Sequence, residues 1–423
     1  MTINLTKNHI VFLTSIFLSC VSFASYAQDV NTLRTQYPGQ AEVVSEYSEH
    51  YTISLTKENK VKISQENYEE STIITDKGTG FSTNESIMFS TLNHLKTYEA
   101  YTLNNINGRQ RKTEIAQITE KKLDQQSVFD SDVKLKVFTY SNLTLGSQKI
   151  LKYTIDFKDP NLLHRFMFAS SYPSLSRTLK LSFPENIKID YKIFNYDEKL
   201  VEKEVITNKG ITTLTFRVQP KTQLKNDDSA AGLMYEAPHL HFWISEYTVN
   251  GETIPMLGSI DKLYNYYSKF IKNINKEIDK PLHNFTQELI KDATTDDEKM
   301  KLIFEWVQKN IKYVAFESGY EGFVPRNAKN VFIRKYGDCK DMASIITEMA
   351  KYADVPNVNF TWIGSRELPY KYNELSTPAV DNHMIATYIK DDQIIYLDAT
   401  DENVPYGFPS SFTQGKEALI AQG

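Results

Sequence analysis

The hexapeptide Tyr336-Gly337-Asp338-Cys339-Lys340-Asp341 decides how the rest of the sequence is read. Downstream of it Ala343, Ile345, Ile346, Met349, Ala350 and Ala353 recur at spacings of three and four, the period of an amphipathic helix. Cys339 therefore falls at or near the first turn of that helix. There the free backbone N–H groups and the positive end of the helix dipole favour a thiolate over a thiol. Position alone leaves two readings open. Free cysteine is commonly a small buried hydrophobe, and it is also a nucleophile when a base stands beside it.

The N-terminus bears on that choice. Lys7 carries a positive charge, Ile10 to Val21 form an apolar run, and Ser25-Tyr26-Ala27 is a small-residue cleavage site. Residues 1–27 are thus expected to be a signal peptide cut after Ala27, and the protein to be exported, periplasmic or secreted. The run is short for a membrane span, and no later stretch is better suited, so no transmembrane segment is expected. A lipid anchor on Cys20 is the alternative. Phe17-Leu18-Ser19 fits a lipoprotein site poorly, because an aliphatic residue is usual where Phe17 stands. Removal of the signal leaves Cys339 as the single cysteine, so stability must come from core burial and the free thiol needs a reason to be there.

Composition excludes several functions. Net charge is −5 with Lys and Arg dispersed among Asp and Glu, so no nucleic-acid partner and no polybasic membrane surface are expected. A length of 423 residues and 41% apolar content suffice for two or three domains with true cores.

From Ser45 to about Asn250 the chain reads as short strands. They are expected at Tyr51–Leu55, Lys60–Ser64, Ser86–Leu92, Thr97–Leu103, Val133–Tyr140, Lys149–Asp156, Arg165–Ala169, Leu175–Phe183, Ile187–Ile193, Thr212–Val218 and Phe242–Val249. Residues 28 to about 44 read as a polar lead-in, and Lys221 to Ala237 as a long surface loop. Near Pro255 the period changes to helical. Leu257–Asn275, His283–Asp292 and a helix opened by Thr295-Asp296-Asp297-Glu298 follow. That last tetrad is a capping box, in which Thr295 accepts from the N3 amide and Glu298 reaches back. Strands near Asn357–Ile363, His383–Ile389 and Gln393–Asp398 close the region. The expected fold is α+β: an all-β sandwich-like region over 28–254, then an α+β domain over 255–423 whose nucleophile helix packs on an antiparallel sheet.

His383 opens an alternating strand, and Asp391-Asp392 make a turn into Ile394-Ile395-Tyr396-Leu397-Asp398. If Lys390 faces Gln393, then Asp398 faces Ile385, and His383 lies one diagonal step away on the same face. That is within reach of an imidazole and a carboxylate. A slip of one residue would put the two on opposite faces. In this register Asp398 orients His383, and His383 takes the proton of Cys339, the logic of nucleophile, base and orienter.

These residues carry a resemblance. Tyr336-Gly337-Asp338-Cys339-Lys340-Asp341, Asn382-His383 entering a strand and Tyr396-Leu397-Asp398-Ala399-Thr400 resemble the cysteine, histidine and aspartate motifs of bacterial transglutaminase-like proteins, relatives of papain. Pro325 with Ala328 fits the usual lead-in. The β-rich part, including His164-Arg165-Phe166 and Tyr172-Pro173, is similar to the domain of unknown function that commonly precedes this core in exported bacterial proteins. The resemblance implies a papain-like fold with Cys339, His383 and Asp398 as catalytic residues. It implies a thioester formed from an amide and resolved by an amine or by water, with a protein or peptide partner, cell-wall peptides included. A catalytically silent scaffold, or a cysteine peptidase or amidase, is the alternative. The oxyanion would be held by the Cys339 N–H and a second donor in the stretch from Tyr320 to Phe323. Lys340 stands where animal transglutaminases carry Trp, and no calcium loop is present, so their crosslinking activity is not implied and no metal or cofactor is expected. Relatives commonly continue into a further β-domain, so the chain to Gly423 is expected to be a shortened form.

Other residues receive quieter readings. Asp338 and Asp341 are expected to cap the helix. His239 and His241 share one face of a strand as a metal pair would, yet are expected to be structural. Arg366 could hold a substrate carboxylate, with an exposed structural role preferred. Trp306 belongs to the core or an interface.

Overall fold

The computed structural model describes residues 29–123, 128–220, 223–224 and 232–422. The expected signal sequence, Cys20 included, and the Asn226–Ser229 stretch of the expected loop lie outside the described residues. Within them the architecture is α+β, strand-rich first and helix-containing after.

The first core is built on an eight-stranded sheet. Its order is Glu202–Asn208, Ile211–Val218, Arg177–Pro184, Glu42–Leu55, Val61–Ile73, Gln148–Phe157, Asn93–Ile106 and Arg109–Glu114. Neighbours are antiparallel except Glu42–Leu55 against Arg177–Pro184, which run parallel. Alternation sends Tyr51, Ile53, Leu151, Ile155, Leu179 and Leu181 into a core shared with two smaller sheets. One, Asn84–Phe89, Lys134–Thr139 and Gln117–Lys122, supplies Ile87 and Phe138. The other, centred on His239–Val249, supplies Leu240, Phe242 and Ile244. The Tyr51 and Phe242 rings meet edge to face at 4.8 Å and join the layers.

Besides short two- and three-residue strands, four were not legible in the sequence: Arg109–Glu114, Gln117–Lys122, Glu202–Asn208 and Glu252–Pro255. They are exposed along nearly their whole length, so neither face demands apolar residues and no alternation is written. The expected lead-in is also structured. Helix Val30–Gln36 buries Leu33, and Glu42–Leu55 begins before the expected strand start.

The second core gathers helices Ile260–Ile271, Lys280–Leu289, Asp296–Asn310, Ala328–Arg334 and Cys339–Tyr352 around an antiparallel sheet. Its order is Gln393–Leu397, His383–Lys390, Val358–Ile363 and Ala418–Ile420. The Thr295 capping box forms as the sequence implies. Helix Cys339–Tyr352 lies at the centre, with Ala343, Ile345, Ile346, Met349 and Ala350 buried. Among the described residues no helix is long and apolar enough to cross a membrane.

The two cores are stitched at one place that bears on the site. Val128–Asp130 of the β-region pairs in parallel with Ala315–Phe316 of the second part. Asp130 accepts from the Ser318 hydroxyl at 3.0 Å, and its carbonyl accepts the Glu317 N–H at 2.8 Å. Asp132 accepts the Gly319 N–H at 3.1 Å and the Thr91 N–H at 2.8 Å. Segment 315–322 is thus held from the N-terminal side. Replacing Asp130 and Asp132 together by Ala should loosen it by local opening. Limited chymotrypsin digestion should then cut at Phe316, Tyr320 or Phe323 at least ~5-fold faster than in the parent, and equal cutting rates would show that the stitch does not hold the segment.

Candidate active site

Asp338 is the N-cap of helix Cys339–Tyr352. It accepts the Asp341 N–H at 3.4 Å, and Asp341 accepts the Asp338 N–H at 3.2 Å, a reciprocal capping box. Both carboxylates are buried and doubly used. Asp338 also accepts the Phe316 N–H at 3.3 Å and pairs with the Lys340 ammonium. Asp341 takes the Arg326 N–H at 2.8 Å and its guanidinium at 3.3 Å, while that guanidinium lies 3.7 Å over the Phe316 ring. Burial, then the Asp338 charge, push the Asp341 carboxyl up, against the Arg326 N–H and the Lys340 and Arg326 charges. Lys340, which the sequence reading treated only as a departure from the animal motif, is the buried counter-ion of the cap.

Gly337 explains itself by close approach. A Cβ there would sit 2.5 Å from the Asp341 Cβ. Any side chain would push against the carboxylate that closes the cap.

The hairpin carrying the other two residues has the register assumed from sequence. Lys390 pairs with Gln393 and Ala386 with Leu397. Asp391 and Asp392 both take positive φ, 47° and 62°, as a two-residue hairpin turn requires. His383 Nε2 donates to Asp398 Oδ2 at 3.1 Å. His383 and Cys339 line the same cleft, and the Cys339 charge acts on the imidazole. With Nε2 committed to the carboxylate, Nδ1 is the nitrogen left for the sulfur.

Asp398 is itself held by Ser410 Oγ at 2.8 Å and by Thr400, whose hydroxyl and N–H reach Oδ1 at 2.6 and 3.2 Å. Burial would raise this carboxyl. The bonds and charge of His383, with Thr400 and Ser410, outweigh burial and lower it, so the group stays an anionic acceptor. Burial would likewise lower His383. The Cys339 charge and the hydrogen bond to Asp398 reverse this and push the imidazole up to about 10. The imidazolium is therefore held through the ordinary imidazole range, and the stability it contributes is lost as pH rises through about 10. The exposed Phe412 ring stands edge-on to the His383 ring at 4.8 Å.

Cys339 and His383 thus meet in the lining of a cleft of about 620 Å³, with Asp398 buried behind His383. Another part of the lining comes from the β-region, through Asn93, segment 160–165 and Trp243. The first-turn N–H groups of a helix have no intrahelical partner. Asp338 takes that of Asp341 and leaves the Cys339 end facing this cleft.

The remaining residues fall elsewhere. The Tyr320 hydroxyl donates to Asp159 at 3.1 Å and is not part of the cleft lining, whereas Gly319, Gly322 and Phe323 from the same stretch are. Arg366 is exposed and off the cleft. Trp306 packs on Phe285 and Phe332. His239 and His241 are buried and both turn Nε2 to the Tyr370 hydroxyl, at 2.7 and 3.1 Å. Ser410, Thr400 and Arg165 were missed by sequence reasoning, because nothing in their local pattern separates them from loop polars.

Comparison with known proteins bears on the family and the fold. A model of the transglutaminase-like superfamily matches residues 283–361, and one of DUF3857, a domain of unknown function with solved structure, matches residues 60–222. The chain carries a transglutaminase-like core preceded by a DUF3857 domain. The superfamily match supports a function of transglutaminase-like type. Among solved structures, a candidate protease from Parabacteroides distasonis superposes with TM-score 0.64 at 15% identity, covering 90% of this chain and 70% of that one. That likeness shows the shared fold. A candidate cysteine protease from Cytophaga hutchinsonii is 11% identical and covers 85% of this chain and 84% of its own, with a TM-score of 0.22, which carries no structural argument. No curated protein matches the sequence.

The cap generates a direct expectation. Gly337→Ala must displace Asp341 or the start of the nucleophile helix, at a cost of about 1–3 kcal/mol. Urea denaturation should read that loss, and iodoacetamide should alkylate Cys339 at least ~10-fold more slowly, since the thiolate–imidazolium alignment goes with the helix start. Unchanged alkylation would show that the cap does not set the geometry.

Proposed function

We propose that this protein is a cysteine enzyme acting on amide bonds through Cys339, His383 and Asp398. The observation that carries the reading is His383, bonded at 3.1 Å to an anionic Asp398 and lining one cleft with a cysteine on the first turn of a helix. The Cys339 thiolate attacks the amide carbonyl. The backbone N–H groups at the helix start receive the developing oxyanion. His383 gives its proton to the departing amine as the carbon–nitrogen bond breaks, leaving a thioester on Cys339. An amine or water, deprotonated by His383, then attacks that thioester and releases the thiolate. Asp398 keeps Nε2 protonated and the ring in plane throughout.

The partner in this reading is a protein or peptide, met after export through residues 1–27, and cell-wall peptides are included. Intact-mass measurement of the protein from its native host should find the chain beginning after Ala27, and retention of residues 1–27 would remove the export part.

Two measurements test the chemistry. A glutamine-containing peptide pool is incubated with the protein and a primary amine, beside Cys339→Ala, and followed by mass spectrometry. Amine incorporation that depends on Cys339 assigns acyl transfer, and Cys339-dependent deamidation or cleavage assigns hydrolysis. No dependent product in either form leaves the scaffold reading. Separately, because the imidazolium persists to about 10, iodoacetamide should alkylate Cys339 at a nearly constant rate between about pH 6 and 8. In His383→Ala the rate should instead fall about tenfold per unit below ~8.5, as for an ordinary thiol. Parallel profiles in the two proteins would remove His383 as the partner.

A further inference from the structure

Of the two permanently charged cations that line the cleft, Lys340 is spent on Asp338 and Arg165 is not paired. Arg217 and Arg326 each hold a carboxylate. Arg165 forms no ion pair among the described residues. Its one side-chain hydrogen bond among the described residues is a long contact, 3.5 Å, from a terminal N–H to the Tyr370 hydroxyl. A guanidinium offers five N–H donors in a planar fork, so most of this one is unused, although the residue is half-buried.

The groups around it explain why none compensates its charge. His239 Nδ1 lies 2.6 Å from the Ala237 carbonyl, which only an N–H can bond, so Nδ1 carries the proton and Nε2 is bare. The Tyr370 hydroxyl must then donate to His239. Its oxygen is left to accept from His241 Nε2–H and from Arg165. Every proton in the cluster is thereby assigned with both rings neutral. Burial drives both imidazoles down, His239 to about 4, and the Arg165 charge adds to that, as it does for His164. Among the described residues no ion pair reaches Arg165, although the carboxylates of Asp132, Glu317 and Asp381 line the same cleft. The Tyr370 hydroxyl serves as a fixed prop for the guanidinium, and the apolar Leu162, Leu163 and Trp243 beside it weaken screening.

We propose that Arg165, set by the β-region in the lining of the cleft that Cys339 shares, is a specificity-determining residue that holds a carboxylate of the substrate. An unspent, propped guanidinium in a partly dry cleft is suited to bidentate carboxylate recognition. The substrate class narrows accordingly to amides whose chain carries a carboxylate near the bond attacked. The role weighed for Arg366 in the sequence falls to Arg165. This deepens the amide reading and rests on it.

The test avoids catalysis, so that the two readings fail separately. Hippurate, an amide bearing a carboxylate, and hippuramide, its uncharged counterpart, are titrated by calorimetry or NMR into the full-length Cys339→Ala protein. Hippurate should bind at least about tenfold more tightly, the scale of one charge-assisted pair. The preference should vanish when Arg165→Gln is added, and part of it should return with Arg165→Lys, which also shows that the wall has folded. Equal affinity of the two probes, or a preference that survives Arg165→Gln, overturns the proposal. The source of the carboxylate is read with two peptides, one with a free C-terminus and one amidated with a neighbouring Glu. Whichever depends on Arg165 names it, and dependence in neither overturns the proposal. Absence of Cys339-dependent product from the peptide pool would overturn only the amide chemistry.

Discussion

Two aspartates buried at the start of one helix set the conditions for everything else at the site. Asp338 and Asp341 close on each other's N–H groups, and each must be neutralised because a lone buried carboxylate is costly. Lys340 answers for one and Arg326 for the other. This draws in Phe316 from the preceding segment and forbids a side chain at Gly337. Cys339 stands between the two carboxylates. In the proposed mechanism its activation comes from the helix start and His383, and the neighbouring negative charge is kept from opposing it by being spent on cations.

The β-region is part of the site rather than an appendage to it. It lines the cleft together with Cys339, and its Asp130 and Asp132 hold the segment whose Phe316 N–H bonds the cap. In the proposed mechanism a substrate reaching Cys339 passes between two folds, with chemistry set by one and recognition available to the other. The pairing of a DUF3857 domain with a transglutaminase-like core has in this cleft a physical reason.

What was legible in the sequence follows from which interactions are local. The Cys339 helix, the Thr295 box and the His383 hairpin are written in period, caps and turn residues within a few positions, and the register that brings Asp398 to His383 follows from one Asp-Asp turn. The exposed strands were silent because solvent accepts polar residues on both faces. The part of the cleft lined by the β-region was silent for another reason. Arg165 meets Tyr370 across 205 positions, and His241 meets it across 129, distances at which no pattern in the chain records the pairing. Tyr320 was misread as a donor to the cleft for the same cause, since its acceptor Asp159 lies 161 positions away.

The short parallel pair between Val128–Asp130 and Ala315–Phe316 also has a meaning in time. Its bonds, such as Ser318 to Asp130, join residues 188 positions apart. Closing so long a loop costs entropy that only a nearly finished structure returns, and contacts of this range form late in folding. A chain made from its N-terminus has its β-region complete before residue 315 exists. The nucleophile helix can form from local signals alone, yet the segment that buttresses its cap waits for both parts. The thiol is thus the last feature of the molecule to be armed, and a partly folded chain carries its cysteine unready.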